Sequence, residues 1–370
     1  MTAPPAIDRF LAEILEQPAA MRAAAQAVGE QRLELERLHR LGDAGASFVL
    51  TGMGSSFDAC LAAASMLARQ GVIATTVNAA ELLHFRSGAL TAATPVLAIS
   101  QSGNSAELVR LAKRLAKMRE RPPLVSLTNG VDNPLARVAD IAFDMAAGTE
   151  EGPSTKTFAA CLVLLRALVD AIAGDEAFDV ARTCAAAAAD AERAAAAAAR
   201  LLVDPSTLAG RMRAWCDERP SMFILGRGTA RAAAEMGALI LKEAARRQAE
   251  SLDTGEFRHG PLELSGPELA VAIVSTETVT RELDRRLAAE LARDGASVMM
   301  IVCERGAGAD AAAGAGGLTA GASIGIDKLH PLLAPAVAVI PLQLLAWRLA
   351  VEGGRDPGRM MRASKVTTTE

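Results

Sequence analysis

The sequence predicts an α/β protein of two tandem domains, each a mainly parallel sheet covered on both faces by helices. Three observations lead there. Short apolar runs alternate with amphipathic helical stretches, the pattern of strand–helix–strand units. The second half repeats the first: Met222–Leu225 ends in Gly226-Arg227-Gly228-Thr229, just as Phe48–Thr51 ends in Gly52-Met53-Gly54-Ser55. The offset is about 174 residues, the scale of a duplicated domain rather than a solenoid. Finally, Val96–Lys117 reads as a buried strand, Val96–Ile99, entering an amphipathic helix through Ser100-Gln101-Ser102-Gly103-Asn104-Ser105.

That hydroxyl-rich turn is the first functional candidate. A helix start offers unpaired N–H groups and about half a positive charge, so serine hydroxyls there are placed to hold a phosphate. The plainer alternative is an N-cap with small turn residues. No G-x-x-x-x-G-K-[ST] pattern is present, so a monophosphate ester fits better than a nucleoside triphosphate.

In chain order, residues 1–46 read as a helical collar, with apolar positions at helical spacing from Ile7 to Gly42 and a break at Gln17-Pro18. Residues 47–175 read as the first domain, with strands at Ser47–Thr51, Val72–Asn78, Val96–Ile99, Pro123–Leu127 and Ile141–Met145, and helices at Ser56–Arg69, Ser105–Arg119 and Phe158–Ala173. The dinucleotide fingerprint fails at the first turn, because Phe57 stands where a third glycine is needed. Residues 176–210 are alanine-dense and read as a helical connector. Residues 211–350 form the second domain, with strands at Met222–Leu225, Leu269–Ser275, Val298–Cys303 and Ala336–Ile340. In its loop Thr276-Glu277-Thr278 an acid stands where the first copy has Ser102, which predicts loss of phosphate binding there. Residues 351–370 form a tail.

Composition narrows the class. With 51% hydrophobic and 22% charged residues the chain is an ordinary globular protein, and a net charge of −4 offers no basic footprint for nucleic acid. Five scattered cysteines without a C-x-x-C pair and four histidines without ligand spacing predict reduced thiols, no structural metal and no cofactor. The first residues carry early acids and no apolar h-region, so the expected location is the cytoplasm. Leu329–Leu349 is apolar enough to resemble a membrane span, but Pro331, Pro335, Pro341, Gln343 and Arg348 favour a buried strand leading into a buried helix.

The turn Ser100–Ser105 resembles the phosphate loop of the sugar isomerase (SIS) domain family. The stretch Ala232–Leu264, with Leu241-Lys242-Glu243 and Gly255-Glu256-Phe257-Arg258-His259-Gly260-Pro261-Leu262, is similar to the double-SIS enzymes that act on amino sugar phosphates. These are the isomerase half of glucosamine-6-phosphate synthase and the double-SIS glucosamine-6-phosphate deaminases. Glu16-Gln17-Pro18, Pro341–Ala346 and Ser364–Glu370 extend the resemblance over nearly the whole chain.

The resemblance implies two tandem SIS domains, each a flavodoxin-like three-layer α/β/α sandwich. It assigns the sugar phosphate to Ser56, Ser100, Gln101, Ser102, Ser105 and Ser154, proton transfer between C1 and C2 to Glu243, ring opening to His259, and sugar contact or Schiff-base formation to Lys365. In such enzymes the histidine can come from a neighbouring subunit, which implies a homodimer. A glutaminase domain with its nucleophilic cysteine is not found in this sequence, so nitrogen transfer from glutamine is not expected. Ile240 and Met236 stand where the synthase's isomerase half carries Lys and Glu. The implied function is conversion of glucosamine 6-phosphate, or a close relative, to a ketose 6-phosphate and ammonia. Aldose–ketose isomerisation without deamination and a non-catalytic sugar phosphate sensor stay open.

Overall fold

The computed structural model describes residues 8–42, 47–304, 323–362 and 364–369. Ile7 of the expected collar, the first residues read for a leader, and Glu370 of the tail motif lie outside them. The first sheet is built from β1 (Phe48–Thr51), β2 (Ala74–Thr76), β3 (Val96–Ser100), β4 (Leu124–Thr128) and β5 (Ile141–Asp144), in the order β2-β1-β3-β4-β5. The second holds β6 (Ser221–Gly226), β7 (Glu250–Asp253), β8 (Leu269–Ser275), β9 (Ser297–Cys303) and β10 (Ser323–Ile326), in the order β10-β9-β8-β6-β7. Read from the opposite edge this is the same order, and every pairing between the described strands is parallel, with Leu50 opposite Leu97 and Leu225 opposite Ile273.

Parallel strands need crossovers, and helices cover both faces, so central strands must be apolar throughout. Every residue of β3, β4 and β8 is accordingly buried. Between β1 and β3 the strand order reverses direction, which opens a crevice at their carboxyl ends. The turns leaving β1 and β3 are therefore neighbours, although about fifty residues separate them in sequence.

The collar is three helices, Arg9–Leu15, Gln17–Glu30 and Arg32–Gly42, with Gln31 making a second break. Phe10, Ile14, Met21, Val28, Leu35 and Leu38 are buried. The helix Gln17–Glu30 packs on the connector helix Val180–Leu201, and the alanines explain how: Ala20, Ala24 and Ala27 face a partner whose Ala187, Ala191, Ala194 and Ala198 are buried. Small side chains let the two backbones come close. Lys156–Ala173, buried over nearly its whole length, contacts the collar, the connector and the helix Ser55–Arg69.

One sequence expectation fails in the second domain, and two strands there were not foreseen. Ala336–Ile340 is not a strand; it belongs to two consecutive helices, Ala334–Ala338 and Ile340–Glu352. The sheet is completed instead by β7 and β10, neither of which was expected. A segment buried on all sides carries no periodicity that separates helix from strand, so the apolar run was ambiguous. By length and composition this helical stretch could span a membrane, yet 78% of its most apolar window is covered inside the fold. Its buried Gln343 accepts a 2.8 Å hydrogen bond from Gln17 of the collar.

Across the two halves, the helix Ser55–Arg69 packs against Ala230–Glu243, which in turn leans on Ile340–Glu352. Gly237 makes the latter approach feasible, because a Cβ there would run into Leu342 Cδ1. Gly237→Ala is expected to destabilise the protein by about 1–3 kcal/mol through overpacking, against up to about 1 kcal/mol returned by helix propensity. Urea unfolding measures the balance, and an unchanged or raised midpoint would mean that Leu342 yields freely.

Candidate active site

Three helix starts converge at the carboxyl edge of the first sheet. The turn after β1 passes through Gly52 and Gly54 into Ser55–Arg69; Gly54 has φ +52°, and a Cβ on Gly52 would sit 2.9 Å from the Phe57 nitrogen. The turn after β3 enters the helix Ala106–Leu115. There Gly103, at φ +63°, lies against Asn133 with no room for a side chain. The third start is Lys156–Ala173, preceded by Ser154, whose Oγ lies 3.0 Å from Thr157 Oγ1. Converging helix N-termini and hydroxyls form a site for an anion.

These turns border a cavity of ≈ 190 Å³ lined by Met53, Gly54, Ser55, Ser56, Gln101, Ser102, Ser105 and Ser154 of the first domain, together with Leu239 and Glu243 of the second and Met360, Ser364, Lys365 and Thr367 of the tail. It brings together Ser56, Gln101, Ser102, Ser105, Ser154, Glu243 and Lys365. Ser100 does not line it. Buried at the end of β3, Ser100 Oγ accepts the Gly103 N–H at 3.1 Å and lies 3.3 Å from Ser105 Oγ, supporting the turn from beneath.

Glu243 ends the helix Ala230–Glu243 of the second domain and faces this first-domain cradle. Burial pushes its carboxyl up to about 7, with Lys365 opposing and Glu150 reinforcing the rise. A carboxyl poised near neutrality can both take and return a proton. Lys365 is not a frayed tail charge: Nζ donates to Glu150 Oε2 and to the Gly152 carbonyl, both at 2.7 Å. The tail is also tied at Thr367, whose carbonyl accepts the Ala106 N–H at 3.0 Å, covering the start of the phosphate helix.

Sequence reasoning passed over Glu150 and Glu13. Glu150, its side chain wholly buried, accepts from the N–H groups of Thr155 and Thr157 and from both their hydroxyls. Glu13, from the collar, accepts the Glu151 N–H at 2.6 Å and the Gly152 N–H at 3.2 Å. Burial and the nearby Glu150 push Glu13 up to about 7. Lys156 is buried and paired with Glu16. An acid just before Gly-Pro-Ser-Thr-Lys-Thr was the only available signal, and its partners lie far away in the chain.

His259 lies apart from the cavity. It is exposed on the turn between Glu256–Arg258 and Pro261–Leu264, where its N–H bonds the Glu256 carbonyl at 2.9 Å. Met236 and Ile240 are core residues with no exposure, and the adjacent Glu235 accepts from Arg231 and Ser251. In the duplicate cradle of the second domain, Glu277 accepts from the Thr229 N–H at 3.1 Å and its hydroxyl at 2.6 Å, and pairs with Arg69 of the first domain at 2.6 Å.

The profile of the SIS domain matches residues 41–171 and 217–352, which take in most of both sheets. The isomerizing glutamine–fructose-6-phosphate aminotransferase of Pyrobaculum aerophilum is 31% identical over 363 residues, covering 98% of this chain and 57% of that protein. The chain thus spans little more than half the length of this curated relative. Among solved structures, the C-terminal domain of glucosamine-fructose-6-phosphate aminotransferase from Francisella tularensis superposes with a TM-score of 0.82 at 24% identity, covering 96% of this chain and 98% of that one. Glucosamine-6-phosphate deaminase from Thermotoga maritima gives 0.65 at 19% identity, covering 93% and 99%. At these identities the two structures establish likeness of fold.

The raised Glu243 carboxyl has a consequence for stability. Its folded-state value of about 7 lies above the unfolded value of 4.5, so the folded protein holds the extra proton in that window. Stability is fully present below the unfolded value and falls as pH rises through the folded one, by on the order of 1–3 kcal/mol for this group. Glu243→Gln, which cannot ionise, should flatten that fall between pH 5 and 7 in chemical-denaturation curves. Parallel curves for the two proteins would show that Glu243 ionises normally.

Proposed function

This chain belongs to the SIS domain family, and on that premise we propose that it is a phosphosugar enzyme that deaminates glucosamine 6-phosphate, or a close relative, to a ketose 6-phosphate and ammonia. The observation that carries the reading is one cavity holding a hydroxyl ring at three helix starts, a carboxyl raised to about 7 and a fixed ammonium. The hydroxyls suit a phosphate monoester. Glu243 and Lys365 line the same cavity and supply the groups that the reacting end of a hexose would need.

In this mechanism the sugar phosphate is anchored by Ser56, Gln101, Ser102, Ser105 and Ser154. After ring opening, ionised Glu243 takes the C2 proton of the aldehyde form, leaving an enolamine. It returns the proton at C1, which leaves an imine at C2, and water hydrolyses that imine to the ketone and ammonia. Lys365 stabilises negative charge developing on O1. His259 opens the ring, delivered from a second copy of the chain in a homodimer, in keeping with its exposure here. The buried Met236 and Ile240 leave Glu243 as the proton carrier of its helix face.

Purified protein incubated with glucosamine 6-phosphate should release ammonia and fructose 6-phosphate together. Interconversion of fructose 6-phosphate and glucose 6-phosphate without ammonia release would move the assignment to an isomerase, and tight binding without any product would leave a sensor. Ser102→Ala with Ser105→Ala should raise KM at least about tenfold with a smaller effect on kcat, since a remote phosphate contributes binding shared by ground and transition states. Mixing Glu243→Gln with His259→Ala protein should restore some activity if the two residues meet across subunits, and none if each chain acts alone.

A further inference from the structure

Glu150 is a carboxylate with no exposed surface that touches two functional elements at once. Through Oε1 it holds the Thr155 and Thr157 N–H groups at 2.8 and 3.1 Å, fixing the turn that presents Ser154. Oε2 accepts the Thr157 hydroxyl at 2.6 Å, and that hydroxyl lies 3.0 Å from Ser154 Oγ. The same Oε2 takes Lys365 Nζ at 2.7 Å, and the Gly152 carbonyl takes a second of its N–H bonds at 2.7 Å. The Gly152 peptide is itself held, because its N–H donates to Glu13 of the collar. Two of the three protons on Lys365 Nζ are thus committed to fixed acceptors, which leaves one direction for the third.

We propose that Glu150 is a positioning residue that seats the C-terminal tail by its ion pair with Lys365, aiming that ammonium into the cavity while its other bonds keep the Ser154 turn in register with it. An amine on a chain end has many rotamers and a mobile backbone, so an aimed ammonium at that position requires a partner fixed elsewhere. Glu150 meets that requirement: five donors converge on it, and four of them come from Thr155 and Thr157 at the start of the largely buried helix Lys156–Ala173. As regards catalysis the inference rests on the sugar-contacting role proposed for Lys365. As regards the tail it does not.

The test therefore has one readout without substrate and one with it. Glu150→Gln keeps an acceptor for the Thr155 and Thr157 N–H groups and removes the charge that holds Lys365. A lysine-specific endoprotease should release the peptide after Lys365 at least about tenfold faster from Glu150→Gln than from the parent protein, because the tail opens more often. Equal release rates overturn the proposal whatever the enzyme's reaction. With glucosamine 6-phosphate, Glu150→Gln should lower kcat about tenfold or more while KM changes less than about threefold, and Glu150→Asp should recover part of the loss. In a Lys365→Met background the Glu150→Gln change should alter kcat by less than about twofold. If it costs the same factor in both backgrounds, Glu150 does not act through Lys365. Should Glu150→Gln fold poorly, Glu150→Gln with Lys365→Met removes both charges and should melt higher than either single variant, since neither is left with an unpaired buried ion. A double variant no more stable than the worse single one overturns the pairing. Absence of turnover in the parent protein with any sugar phosphate, alongside faster tail release in Glu150→Gln, would reject the deaminase reading and keep the positioning role.

Discussion

The packing of Ser55–Arg69 against Ala230–Glu243 is the constraint on which the site depends. One helix opens the cradle from the first half of the chain; the other ends in Glu243 from the second half. Without that contact the hydroxyls and the carboxyl would belong to separate domains, and no single cavity would hold both. The buried lining of the two helices is mostly small and apolar, with Ala59, Ala62, Ala63, Ala233, Met236 and Ile240 buried. Its exception is Asp58, held well above the usual carboxylate range by burial and by the nearby Glu235 and Glu243. Lys242 and Arg231 oppose that rise without cancelling it, so burial dominates at the seam.

Much of this architecture was legible in the sequence, and the reasons are local. β8 matches its expected bounds at both ends, because six apolar residues closed by Ser275 and flanked by turn residues have the length of a buried strand. The hydroxyl turn after β3 was legible because Ser-Gln-Ser-Gly stands between two unambiguous elements. β7 was not, since Glu250–Asp253 is a partly exposed edge strand whose sequence, Glu-Ser-Leu-Asp, carries no alternation of apolar and polar residues. Ala336–Ile340 failed for the opposite reason, being apolar on every side.

Within the site, what the sequence hid was the set of long-range partners. Glu13, Glu150 and Lys365 come from the collar, the end of the first domain and the tail, and nothing in their local spacing links them. Ser100 and Ser102 are two residues apart in one motif, yet one supports the turn and the other lines the cavity. Strand alternation alone would send both the same way; the division arises because β3 ends at Ser100 and Ser102 already lies in the turn.

Glu277 gives the duplication a direction. The carboxylate sits where the second cradle would receive an anion, bonded to Thr229 and clamped by an arginine contributed by the other half of the molecule. A tethered group of this kind competes with any free anion at an effective concentration in the millimolar range or above. The second cradle is thus filled by a carboxylate of its own chain. One cradle of the pair is open and the other is riveted shut, and the rivet, Glu277 with Arg69, ties together the two halves whose contact builds the working site.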